Sequence, residues 1–172
     1  MRRPVGAVAV LVLAALLVFG ALDGQERRSW AAGLLDPLIG LDHFMVLVGI
    51  GLWAGRLGAP APRRMLAAFL VGALAGFVLA AGQPSALLVE ALVRLLVIGS
   101  VLLVGVGLMV RVSLPQRDAT SMAAMIGGCH GYLHRLEVGP AEALWFGLGA
   151  VVTAGALMTV GVAVATRDPR TG

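Results

Sequence analysis

Six stretches of mostly apolar residues follow one another along this chain. Each is long enough, or nearly so, to cross a bilayer as a helix, which takes about 20 residues. They run roughly Pro4–Leu22, Pro37–Gly55, Met65–Ala81, Ala86–Val110, Ala119–His134 and Ala141–Ala165. The breaks between them hold proline or charge: Asp23–Arg28, Arg56–Arg64, Gln83–Pro84, Arg111–Asp118 and Arg135–Pro140. Helix breakers and unneutralised charges belong where water reaches the backbone. With 59 % of its residues hydrophobic and 13 % charged, a body of 172 residues has too little interior to hide its apolar surface from water. The same figures exclude disorder, which requires low hydrophobicity and high net charge. The expected fold is all-α: one polytopic transmembrane helix bundle over residues 1–172, of about six spans.

Arginine placement orients that bundle. With the N-terminus in the cytoplasm, alternation puts Arg2, Arg3, Arg56, Arg63, Arg64, Arg111, Arg117, Arg167 and Arg170 inside, and Arg27, Arg28 and Arg135 outside. This asymmetry obeys the positive-inside rule for a bacterial inner membrane with both termini cytoplasmic. It also supports the short and polar fifth stretch, since dropping that span would send Arg167 and Arg170 outside. The first stretch has a rival reading as a signal peptide, because Arg2 and Arg3 precede its apolar core. That core is longer than an ordinary signal core, and no A-x-A cleavage pattern follows. Cleavage would leave five spans without changing their orientation.

Other classes fall away. The single Cys129 excludes an intrachain disulfide framework and a Cys-rich metal site. The basic residues are scattered, so no basic stripe exists for nucleic acid. The loops hold no GxxxxGK[ST] phosphate cradle. Glycine is abundant, with 24 residues, and pairs such as Gly51/Gly55 and Gly72/Gly76 suit close helix packing within one bundle.

Ionisable side chains at membrane depth are costly and are candidates for function. All three histidines of the chain fall among them. Asp36, Asp42 and His43 begin the second stretch; His130, His134 and Glu137 end the fifth; Glu90 lies near the start of the fourth. On one helix, residues at positions 130, 134 and 137 lie within about 60° of one another. Two imidazoles and a carboxylate so placed can reach one divalent cation. The topology brings all seven residues to the outer side, where adjacent helices would build one polar cavity. The expected metal ligands are therefore Asp36, Asp42, His43, Glu90, His130, His134 and Glu137.

Structural roles compete at several positions. Asp36 before Pro37 reads as a helix N-cap with proline in the first turn. Asp42 and His43 can pair with each other, Glu90 with Arg94 four residues on, and Glu142 can favour a helix N-terminus. His134 and Glu137 can be solvated at the interface, and Cys129 can simply be buried. Met122 and Met125 make one MxxM pair that no other methionine extends, which disfavours a Cu(I) path.

At these clusters the chain resembles the HupE/UreJ family, small hydrogenase- and urease-accessory membrane proteins regarded as nickel permeases. The family's H-P-x-x-G-x-D-H pattern is similar to Asp36-Pro37-Leu38-Ile39-Gly40-Leu41-Asp42-His43, with aspartate in place of the first histidine. Its H-G-x-x-H-x-x-E pattern is similar to His130-Gly131-Tyr132-Leu133-His134-Arg135-Leu136-Glu137. Val89-Glu90-Ala91 resembles the region of the family's intramembrane glutamate. The His-rich stretch that often follows the family's first hydrophobic segment is replaced here by Asp23–Ser29. The resemblance implies metal-ion transport rather than enzymatic activity. Nickel, cobalt or zinc would be a transported ligand and there would be no tightly bound cofactor. The expected partners are the metal ion, the lipid bilayer and further copies of the chain. A zinc-dependent intramembrane hydrolase is the alternative of another class, though no HExxH is present; a metal-sensing accessory subunit is a third.

Overall fold

The computed structural model of the chain describes residues 24–82 and 87–167. The expected first stretch, Pro4–Leu22, lies outside them. The described residues form six α-helices: α1 Gly24–Ile39, α2 Leu41–Leu57, α3 Ala61–Ala80, α4 Leu87–Met109, α5 Gln116–Glu137 and α6 Ala143–Ala165. The architecture is an all-α bundle of an integral membrane protein. Three helices, α3, α4 and α6, are long and apolar enough to cross a bilayer. The pair α1–α2 qualifies as a fourth crossing if its two halves, bent by 74°, are one broken span.

The beginning of that pair differs from expectation. Asp23–Arg28 reads as an aqueous break and Pro37 as a helix start, yet residues 24–39 are already helical and Pro37 lies inside α1. Asp36 is therefore not an N-cap. The upstream segment is rich in helix formers (Gln, Glu, Arg, Ala and Leu) and docks on α6. A Cβ on Gly33 would strike the Phe146 carbonyl, the Thr153 hydroxyl donates to Leu34 O at 2.9 Å, and the Trp145 indole donates to Glu26 at 2.9 Å. Pro37, which lacks an N–H, sits in the last turn of α1, where little of the helix remains to be broken. The break falls at Gly40, whose backbone is extended at φ −70° and ψ 104°.

The bundle is held by close helix approach. A Cβ added at Gly72, Gly76, Gly127 or Gly131 would collide with facing main chain, at Ala124, Gly128, Phe69 and Ala73 respectively. α3 and α5 thus meet backbone to backbone, glycines on each side receiving the other. Gly51 against Met158 and Gly161 against Val48 repeat the device between α2 and α6. In lipid, where apolar side chains gain nothing by leaving solvent for one another, such dispersion contacts supply the association. The expected packing glycines Gly51, Gly72 and Gly76 do this work within one chain.

At the end opposite the histidines, Arg56 donates to Leu108 O at 2.9 Å and so satisfies a carbonyl in the last turn of α4. Gln116, opening α5, reaches Leu57 O at 3.4 Å and Ala59 O at 3.5 Å. Between the two ends lies an apolar core that includes Val46, Ile50, Trp53, Met65, Phe69 and Met158.

Candidate metal centre

Three helices supply the centre. The bend at Gly40 turns α1 away from α2 just where Asp36, Asp42 and His43 stand. The last turns of α5 carry His130 and His134 to the same place. Gly131, between those two histidines, brings α5 against α3 and so sets how deep their rings sit. His130 is 3 % exposed and His134 9 %, deeper than histidine usually lies.

The rings are mutually close. The His43 ring centroid lies 5.0 Å from that of His130, edge to face, and 4.7 Å from that of His134. The Asp36 carboxylate oxygen Oδ2 lies 3.4 Å from His134 Nδ1. Asp36, His43 and His134 can each offer one ligand atom such that all three atoms lie within 4.8 Å of one another. Ligands at about 2.1 Å in a tetrahedral arrangement stand about 3.4 Å apart. A closure of roughly an ångström or more between the widest pair would bring these three onto one ion.

Hydrogen bonding divides the ring nitrogens. His43 Nδ1 is 3.0 Å from Asp42 Oδ1, and His130 Nδ1 is 2.9 Å from Ile126 O. Asp36 Oδ2, His43 Nε2, His130 Nε2 and His134 Nδ1 are buried with no hydrogen-bond partner in the protein. A buried polar atom without a partner costs about 1–3 kcal/mol, and four on neighbouring side chains are unusual. A divalent cation would satisfy those of Asp36, His43 and His134 as ligands, whereas His130 lies beside the group, its ring 5.0 Å from that of His43, and is not among the three whose ligand atoms gather. His43, His130 and His134 also line a cavity of about 440 Å³ whose remaining wall is largely apolar, from Leu70, Ala73 and Phe77 of α3 and from Leu144, Leu148 and Val151 of α6. The rings of Phe69 and Phe146 lie beside His130 and His134, at 6.1 and 5.7 Å between centroids.

The expected ligands do not all gather. Asp42 is bonded to His43. Glu137, expected on one face with His130 and His134, is instead half-exposed and ion-paired to Arg94 at 3.3 Å. Arg94 thus takes its carboxylate from α5, not from Glu90 one turn away on α4. Glu90 is part-buried in the first turn of α4, away from the three grouped side chains. Glu142 stands at the N-cap of α6 with no side-chain cap bond, and Cys129 is partly buried outside the group. Sequence reasoning missed Gly40, the Ile126 carbonyl and the two phenylalanines. Only Gly40 had a signal, lying between the two acids.

Comparison with known proteins gives the family. The family model described as HupE / UreJ protein matches residues 7–172. Protein HupE of Rhizobium leguminosarum bv. viciae is 29 % identical over 115 residues, which is 67 % of this chain and 58 % of that protein. The chain thus spans less than two thirds of the length of this curated relative. No solved structure matches the chain.

Proposed function

The chain belongs to the HupE/UreJ family, and on that premise we propose that it is a permease for a divalent transition metal, nickel or cobalt, in a bacterial inner membrane. One observation carries the reading: Asp36 Oδ2, His43 Nε2, His130 Nε2 and His134 Nδ1 are buried on adjoining side chains and make no hydrogen bond within the protein, Asp36 Oδ2 and His134 Nδ1 standing 3.4 Å apart as a loose ion pair. Three imidazoles and one carboxylate make a nitrogen-rich set that suits nickel, cobalt or zinc better than magnesium or calcium, which prefer oxygen alone. Replacement of the family's first motif histidine by Asp36 adds one hard oxygen and leaves the set mainly imidazole.

The arginine asymmetry supports a cluster on the outer side with both termini in the cytoplasm. An arriving hydrated ion would exchange water for these side chains. Inward movement of a divalent ion gains about 4.6 kcal/mol per 100 mV of membrane potential, twice the single-charge value. Below the cluster the apolar core around Ile50, Met65 and Met158 closes the way. Passage therefore requires the helices to move.

The test is uptake of labelled nickel and cobalt into liposomes holding the full chain, beside empty liposomes and a His134→Ala variant. Saturable uptake by the wild type, reduced to the empty-liposome level by His134→Ala, supports the reading. Equal uptake by wild type and empty liposomes rejects it.

A further inference from the structure

Resting on that reading, we infer that Asp42 is not a metal ligand but a positioning residue, which fixes the tautomer and direction of His43 so that Nε2 faces the ion. A carboxylate and a main-chain carbonyl can only accept hydrogen bonds. His43 Nδ1, 3.0 Å from Asp42 Oδ1, therefore carries the proton, and so does His130 Nδ1, 2.9 Å from Ile126 O. In a neutral imidazole the lone pair then belongs to Nε2. In both residues Nε2 is the buried atom without a partner. Two histidines are thus set alike, one by a carboxylate and one by the preceding turn of its own helix. Ligating imidazoles are commonly oriented by such an outer hydrogen bond, which also raises the basicity of the ligating nitrogen.

Two further observations separate Asp42 from Asp36. The Asp42 side chain is 44 % exposed and hydrogen-bonded to His43, whereas that of Asp36 is 33 % exposed and buries an Oδ2 that makes no hydrogen bond and faces His134 Nδ1 at 3.4 Å. Gly40 also makes room for the pair: a Cβ there would stand 2.9 Å from His43 Nδ1 and 3.2 Å from Asp42 Oδ1. A side chain at residue 40 would crowd the bond itself. The acids of the Asp36–His43 segment therefore divide their work, Asp36 meeting the ion and Asp42 holding the ring that meets it.

The experiment titrates the full chain in detergent with Co²⁺ alone and records ligand-field bands and affinity. Asp42→Asn keeps an acceptor for the Nδ1 proton and is expected to retain the wild-type bands with less than about tenfold loss of affinity. Asp42→Ala and Gly40→Ala are expected to lose about 10- to 100-fold, as removal of an outer-shell partner does. Asp36→Asn is expected to move the bands, because a ligand has changed. Bands that move in Asp42→Asn as they do in Asp36→Asn overturn the assignment, and so does unchanged affinity in Asp42→Ala. Histidine ¹⁵N spectra of the metal-free protein read the tautomers directly. His43 and His130 are expected with the proton on Nδ1, and Asp42→Ala is expected to release His43 alone. A wild-type His43 protonated on Nε2 overturns the inference. A wild type that binds no Co²⁺ defeats the permease reading instead, while the spectra still decide the role of Asp42.

Discussion

α4 and α5 are of nearly equal length, 23 and 22 residues, and they invert the rule that holds in soluble proteins. α4 is almost wholly apolar, yet Leu87, Leu88, Leu95, Leu102 and Met109 are each more than 60 % exposed, and only Val97, Ser100 and Val104 are buried. α5 carries Gln, Arg, Asp, Thr, Ser, two His and Glu, and it fails the apolarity of a membrane span. Yet it buries eight residues, both histidines among them. Lipid accepts the apolar surface of α4 at no cost, so α4 serves as an outer wall. The polar groups of α5 cannot face hydrocarbon, so α5 is drawn against α3, and a helix far less apolar than α4 brings two of the three histidines to the centre.

The contrast can be broken most sharply at glycine. Gly131→Val on α5 forces a side chain into the Ala73 backbone, which cannot yield. Beyond the roughly 1–3 kcal/mol of ordinary overpacking, it is expected to leave little monodisperse protein on size exclusion. A variant that purifies and melts like the wild type would show that α5 does not need its close approach to α3.

His134→Ala, on the same helix, is expected to leave the fold intact and to weaken Co²⁺ binding by at least about 100-fold, or about 2.7 kcal/mol. Isothermal titration in detergent measures this. Affinity within about threefold of the wild type would remove α5 from the site.

On α4 a glycine change should behave oppositely. A Cβ at Gly105 meets nothing within 4 Å. Gly105→Ala is expected to raise stability by up to about 1 kcal/mol through helix propensity alone, seen as a small rise in the melting temperature. A clear loss there would mean that α4 has a close neighbour after all.

The smallest effect is expected where the two helices meet. Arg94 and Glu137 are each about half exposed, and a pair of that kind contributes at most about 1 kcal/mol. Arg94→Gln is expected to change thermal stability by less than that. A double-mutant cycle with Glu137→Gln isolates the term, and a much larger coupling would make this pair a structural tie rather than a surface contact.

Much of the architecture is readable before any coordinates. Apolar stretches separated by arginine and proline announce α3, α4 and α6 within a few residues of their ends, because lipid imposes length and apolarity together. α1 is not readable in this way. Its residues are polar enough to pass for a loop, and they are helical because Gly33, Thr153 and Trp145 dock them on α6, far away in sequence. The site divides likewise. Three histidines in a chain so poor in polar groups single themselves out, and the i, i+4 spacing of His130 and His134 puts them on one face. The same spacing rule extended that face to Glu137, which tertiary structure spends on Arg94.

The sequence by itself determined the medium, the helices and the identity of the scarce donors, since burial in lipid tolerates so few polar residues that each stands out. Only the tertiary structure decided which donors meet. That choice depends on the break at Gly40, on the glycine contacts that set the depth of α5, and on the hydrogen bonds that leave one ring nitrogen of His43 and of His130 free. The break and the glycine contacts set distances between helices, which a linear pattern does not carry; the two hydrogen bonds lie within single helices, but the pattern does not say which rotamer makes them.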